Sequence, residues 1–187
     1  NSDSGITESQ LINDNGYIIY TDGAKKILVG YTGNETELTL PSYITKIYDY
    51  AFYWCFSLTS VVIGDSVESI GYGAFEYCGP LTSVEYKGSI DSWVEIEFDG
   101  WASNPLEYAK KLIIDGKEVT EVNLTIATKI NAFAFQSCYS LTSAVIGDSV
   151  ESIGERAFSY CFSLTSITVD ENNKYYKSID GSLYSKD

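Results

Sequence analysis

Four cysteines, Cys55, Cys78, Cys138 and Cys161, are the most versatile reactive side chains in this sequence of 187 residues. Each follows an Ala-Phe pair at the same spacing, beginning at Ala51, Ala74, Ala134 and Ala157. An even number of thiols allows disulfides, whereas small buried thiols behave as apolar side chains and need no partner. A four-thiolate zinc site needs converging ligands, and cysteines repeated along one chain phase do not converge. Histidine is absent, which removes Ser-His-Asp and Cys-His catalysis and histidine-ligated zinc. Among the acids, Asp65 and Asp148 follow Gly64 and Gly147, but the Gly-Gly-x-Gly-x-Asp spacing of a calcium ladder is missing, so they read as turn residues. Asp91, Glu95, Glu97 and Asp99 could supply a carboxylate pair for glycoside hydrolysis, and a solvated face accounts for them more simply. Asn34-Glu35-Thr36 and Asn123-Leu124-Thr125 match the glycosylation triplet, which is common by chance, and Asn123 falls in a predicted strand. Phosphate-binding and dinucleotide-binding loops are absent from the sequence.

The charge balance narrows the partners. Twelve Lys and Arg stand against 26 Asp and Glu, a formal net charge of −14. Such a chain lacks the clustered cations that displace phosphate counterions, so nucleic-acid binding is excluded and a direct role on an anionic membrane is disfavoured. With 44% hydrophobic residues it can bury a core. No apolar run is long enough to span a membrane, and the polar opening Asn1-Ser2-Asp3-Ser4-Gly5 does not read as a signal peptide. Methionine is absent, so the chain is expected to be processed or part of something longer.

What must position these residues is a repeat. Ser57–Gly79 and Ser140–Phe162 agree at 18 of 23 positions, and within each block the period is 23. Ile47, Ala51, Phe52 and Cys55 return as Ile70, Ala74, Phe75 and Cys78, and Ile130, Ala134, Phe135 and Cys138 as Ile153, Ala157, Phe158 and Cys161. So short a unit cannot bury its own apolar face; it must stack, placing equivalent side chains in ladders about 4.8 Å apart where strands pair. Leu58-x-x-Val61-x-Ile63 reads as a strand, Gly64-Asp65-Ser66 as a turn and Val67-x-x-Ile70 as a second short strand. Ala74 to Cys78 fits one helical turn closed by Gly79-Pro80.

These residues resemble the BspA-type leucine-rich repeat, through the pattern LTSVxIGDSVESIGxxAFxxC, directly over about residues 40–169. The resemblance implies an α/β leucine-rich-repeat solenoid, a right-handed β/α superhelix with one helical turn per unit. It also implies a place in a secreted or cell-wall-attached bacterial protein that acts as an adhesin or surface-interaction module.

Between Cys78 and Cys138 the register breaks, because 60 residues hold two periods and 14 extra. The resemblance implies a variant unit at about 87–123 with Trp93 in its core, and Asp115-Gly116 between two apolar runs signals a hairpin. Leu124 to Ile130 is one residue shorter than Ile63 to Ile70, so that turn should differ. Residues 1–39 read as an irregular capping β segment, 40–169 as the solenoid and 170–187 as the start of a further unit.

Aromatic residues are the remaining candidates: 16 Tyr, 8 Phe and 3 Trp. Phe52, Phe75, Phe135 and Phe158 belong to the core by phase. Flanking positions vary between units, with Tyr48, Tyr50, Tyr53, Trp54 and Phe56 in one, Tyr72 and Tyr77 in the next, then Phe133 and Tyr139, then Tyr160 and Phe162. Tyr50, Tyr53, Trp54, Tyr72, Tyr77 and Trp101, the last in the insertion loop, form the expected partner-binding surface, since such rings supply contact area at small entropic cost. Ring stacking for stability is the competing reading. The expected function is a non-catalytic extracellular module, without cofactor or catalytic residues, that binds a host or neighbouring-cell protein or a glycan. The alternatives are a passive spacer, or an accessory module of a carbohydrate-active or proteolytic enzyme.

Overall fold

The computed structural model describes residues 5–186; the polar opening Asn1–Ser4 and Asp187 lie outside the described residues. The chain winds as a solenoid in which each coil contributes two short strands to two parallel ladders. Glu37–Thr39, Ser60–Ile63, Ser83–Tyr86 and Leu112–Ile114 form one ladder, and Lys46–Ile47, Ser69–Ile70 and Glu97–Phe98 form the other. The 23-residue period sets the register, Val61 facing Val84 and Ile47 facing Ile70. After the variant unit both ladders restart. Glu121–Asn123, Ser143–Ile146 and Ser166–Val169 form a three-stranded sheet, and Lys129–Ile130 pairs with Ser152–Ile153.

Alternation within each strand decides what lies inside. Val61, Ile63, Val84 and Tyr86 are buried while their neighbours are partly exposed, as period-two patterning requires. Phe52 and Phe75 stack at 5.0 Å between ring centroids with planes 13° apart, and Phe135 and Phe158 at 5.5 Å and 19°. The equivalent side chains thus form the ladders that the period predicts.

The Ala-Phe-x-x-Cys segment differs from the sequence expectation. It is a run of tight turns, and the only α-helices among the described residues are Ile90–Trp93 and Leu106–Ala109 in the variant unit. The backbone N–H groups show why. Those of Ala51, Tyr53 and Cys55 bond locally to the carbonyls of Tyr48, Tyr50 and Phe52. Those of Tyr50, Phe52 and Trp54 reach the next coil, at Tyr72, Ala74 and Glu76. An α-helix would keep every N–H within itself; alternation here gives half of them to the neighbour. The geometry requires left-handed residues at Tyr50, Trp54, Tyr77, Phe133, Ser137, Arg156 and Tyr160, with φ between 54° and 65°.

At the N-terminal end, Leu11–Asp14, Tyr17–Asp22 and Lys25–Tyr31 form an antiparallel meander whose last strand pairs in parallel with Lys46–Ile47. At the other end the hairpin of Tyr176–Ile179 and Ser182–Ser185 packs beside Ser166–Val169, with the Ile167 N–H bonded to the Gly181 carbonyl. The expected hairpin joins Leu112–Ile114 to Lys117–Glu118 through Asp115 and Gly116, both at positive φ.

Candidate binding surface

The tight turns line up along one face of the solenoid and carry most of the exposed rings. Alternation again explains the display: the repeated phase of each turn points Ala and Phe inward, leaving the left-handed Tyr50, Trp54, Tyr77, Arg156 and Tyr160 outside, whereas Phe133 and Ser137 are covered. Tyr50, Tyr53, Trp54, Tyr72 and Tyr77 form one connected cluster. Tyr50 meets Tyr53 at 5.3 Å and Tyr72 at 5.8 Å; Tyr53 stacks on Trp54 at 5.6 Å and meets Tyr77 edge-on at 5.6 Å. Phe56, at 63% exposure, extends the cluster through a 5.7 Å contact with Trp54, which is 57% exposed. A cavity of about 370 Å³ separates Trp54 and Phe56 from Tyr31 and Glu35 of the N-terminal segment.

Trp101 makes no ring contact with this cluster. It stands on a second patch of the same face, with Tyr139, Tyr160 and Phe162, around a cavity of about 430 Å³. Tyr139 and Phe162 meet at 5.1 Å, Tyr160 and Phe162 at 6.0 Å, and the Lys110 ammonium lies 4.9 Å above the Tyr139 ring. Phe133, expected among the variable flanking rings, is buried, and Trp93 is fully buried as the sequence predicts.

Polar groups beneath the second patch were not singled out by sequence reasoning. Glu107 Oε2 accepts from the Ser137 hydroxyl at 2.6 Å and from Gln136 Nε2 at 3.2 Å, while Glu107 Oε1 lies 3.9 Å from Lys110 Nζ. A signal was present: Arg156 is the chain's one arginine, and it replaces Gly73 of the sister block.

The cysteines run behind the turn face and are unbridged. Cys78 donates to the Phe52 carbonyl of the preceding coil at 3.2 Å, and Cys161 to that of Phe135 at 3.0 Å. Burial pushes the Cys161 thiol up to about 12 and raises Cys138. A hydrogen bond with Cys78 lowers the pKa of the half-buried Cys55, while that contact and burial raise Cys78.

The acids around the variant unit do not form the purely solvated face that the sequence suggests. Asp91 is buried, and its Oδ1 accepts from the N–H groups of Thr125, Ile126 and Ala127 at 3.0, 2.9 and 2.8 Å, with the Thr125 hydroxyl on Oδ2 at 3.2 Å. It therefore closes the shortened turn before Ile130. Burial raises its pKa, but the hydrogen bonds outweigh burial and hold the carboxyl below the usual carboxylate range. Glu95 accepts from the Thr128 N–H at 2.9 Å, while Glu97 and Asp99 remain exposed. Asn34 and Asn123 are both exposed, Asn123 at the end of a strand.

Six copies of the BspA type leucine-rich repeat region match residues 30–106 and 115–185. The chain belongs to the BspA-type leucine-rich repeat family. Among solved structures, a leucine rich cell surface protein from Faecalibacterium prausnitzii is 25% identical, with a TM-score of 0.56 over 95% of this chain and 58% of that one. The T. pallidum leucine-rich repeat protein is 23% identical, with a TM-score of 0.54 over 83% of this chain and 70% of that one. A leucine-rich repeat protein from Eubacterium ventriosum is 22% identical, with a TM-score of 0.50 over 92% of this chain and 47% of that one. This BspA-type chain thus spans little more than half of the Faecalibacterium protein. No curated protein matches it. Among the described residues no helix is long and apolar enough to cross a membrane.

Proposed function

We propose that this BspA-type domain is a non-catalytic, adhesin-like recognition module of a bacterial secreted or cell-surface protein, docking a partner protein through Tyr50, Tyr53, Trp54, Phe56, Tyr72 and Tyr77. One observation carries the reading: Tyr50, Trp54 and Tyr77 hold large exposed rings on left-handed backbone, where glycine fits with less strain. Left-handed conformation costs a non-glycine residue about 1–2 kcal/mol. Trp54 has three ring contacts, worth about 0.5–1.5 kcal/mol each at best and less where the rings stay wet, so for an exposed ring the gain and the strain are of similar size and nearly cancel. Stability alone therefore gives these positions little reason to be aromatic, whereas a docking face does. A charge of −14 favours a partner with a basic rim around its apolar contact.

The test uses Trp54→Gly and Tyr77→Gly. We expect both to melt within a few degrees of the parent, because relief of backbone strain offsets the lost ring contacts. Capture from an array of purified matrix and cell-surface proteins should fall about tenfold for each variant, and binding should weaken with added salt. Variants that melt several degrees earlier and bind normally would assign the rings to stability alone.

A further inference from the structure

The second aromatic cavity has features that a protein-docking face does not require. At about 430 Å³ it lies in the size range of small-molecule sites. Its exposed wall is aromatic, from Trp101, Tyr139, Tyr160 and Phe162, and its floor is polar, from Glu107, Gln136 and Ser137. Gln136 is 2% exposed and commits Nε2 to Glu107, yet its Oε1 has no hydrogen-bond partner in the protein. A buried acceptor without a donor is unusual in native structures. Gln136 lines the cavity, and its terminal amide torsion is soft, so rotation about it can bring Oε1 to a donor entering the cavity.

Charge adds a second preference. Glu107 is engaged by Ser137, Gln136 and Lys110, so the one carboxylate of the lining is already compensated. Arg156 also lines the cavity, is exposed, and among the described residues forms no ion pair. In a chain of net charge −14, an unpaired guanidinium at a cavity mouth is a local inversion of sign. Its planar fork matches a carboxylate in bidentate fashion.

We propose that this cavity is a separate site for an acidic saccharide. The sugar's apolar face would lie on the exposed rings, its carboxylate on Arg156, and a hydroxyl would donate to Gln136 Oε1. A saccharide fits better than a peptide side chain because it brings a flat apolar face, several hydroxyl donors and an anion within one small volume. The site shares no residue with the Tyr50–Tyr77 cluster, so it stands or falls independently of the protein-docking reading.

The experiment is ligand-observed NMR and titration calorimetry on the full chain with galacturonic acid and N-acetylneuraminic acid, against methyl galactoside and a short glutamate-tyrosine peptide. We expect saturable millimolar-range binding of at least one acidic sugar, about tenfold weaker for the neutral one, and about tenfold loss in Arg156→Gln and Phe162→Ala. Both substitutions are at exposed positions, and circular dichroism would verify that each variant is folded. Gln136→Leu should melt no lower than the parent while binding the acid more weakly. Trp54→Gly should bind the sugar normally, even where it loses the protein partner. Absence of binding by both acids, or binding indifferent to Arg156→Gln, overturns the proposal. Arg156-dependent binding of the peptide without the sugars would also overturn it and assign the cavity to protein docking.

Discussion

The regular coils and the seam after the variant unit hold together in different ways. In the regular coils nearly every cross-coil bond is made by the backbone. Parallel strands pair at 23-residue offsets and every second turn N–H reaches the next coil, while a threonine ladder adds side-chain rungs at the same offset: the Thr59 hydroxyl donates to the Thr36 carbonyl and the Thr82 hydroxyl to that of Thr59. At the seam, among the described residues, no strand pairing joins Glu97–Phe98 to Lys129–Ile130. Two backbone bonds cross it, from the Asn131 N–H to the Val94 carbonyl and from the Tyr139 N–H to the Lys110 carbonyl, both at 2.8 Å, and side chains make the rest. Asp91 gathers three N–H groups, Glu95 takes that of Thr128, Trp93 Nε1 donates to the Ala134 carbonyl at 2.9 Å, and Asn104 Nδ2 reaches the carbonyls of Phe133 and Ala134. Backbone bonding tolerates almost any side chain, whereas the seam depends on particular ones. That difference predicts where single substitutions are costly.

Asp91→Ala is the most damaging expected change. It strands three N–H groups and a hydroxyl in a turn where Ala127 is buried but Thr125 and Ile126 are exposed, so at about 1–3 kcal/mol for a buried unsatisfied group, and less for those that water reaches, the loss should be about 3 kcal/mol. Chemical denaturation would measure it. The same carboxyl makes stability depend on pH. Its folded pKa lies below the unfolded one, so its contribution is fully present above the usual carboxylate range and is lost as pH falls through the depressed folded value. Asp91→Asn keeps an acceptor, should cost less than Asp91→Ala, and should flatten the acid limb of the stability curve. An unchanged acid limb would refute that assignment.

Gly154→Ala is the matched attack on a regular coil. A Cβ there would lie 2.2 Å from the Ala132 backbone nitrogen, and because backbone cannot step aside, we expect about 1–3 kcal/mol or more of destabilisation by denaturant titration. Thr59→Val should cost only about 1 kcal/mol, since the strand pairing around it survives. The mildest probe is covalent: iodoacetamide should label Cys55 before Cys78, Cys138 and Cys161, whose thiols are buried and held protonated. Mass spectrometry after brief labelling would read the order.

Much of the fold was legible because equivalent residues in a stacked repeat see equivalent surroundings; Phe52 and Phe75 could be paired from spacing alone. The Ala-Phe-x-x-Cys turn was misread as helical, since its apolar spacing suits a helix and left-handed tyrosine or tryptophan carries no composition signal. Asp91 was read as solvated because its partners, Thr125 to Ala127, come from the next coil across an irregular join that no period indexes. In the turn-face surface, variable rings flagged Trp54 and Tyr77. Gln136 and Glu107 stayed invisible, because their meeting depends on how the insertion folds back.

The replaced bonding at the seam has a mechanical consequence. Load applied along the solenoid axis is shared by repeated hydrogen-bond rungs through each regular stack, but at the join it passes through two isolated backbone bonds and a few carboxylate, amide and indole tethers. Extension should therefore begin there, dividing the rod into two stiff segments with a yielding link between them.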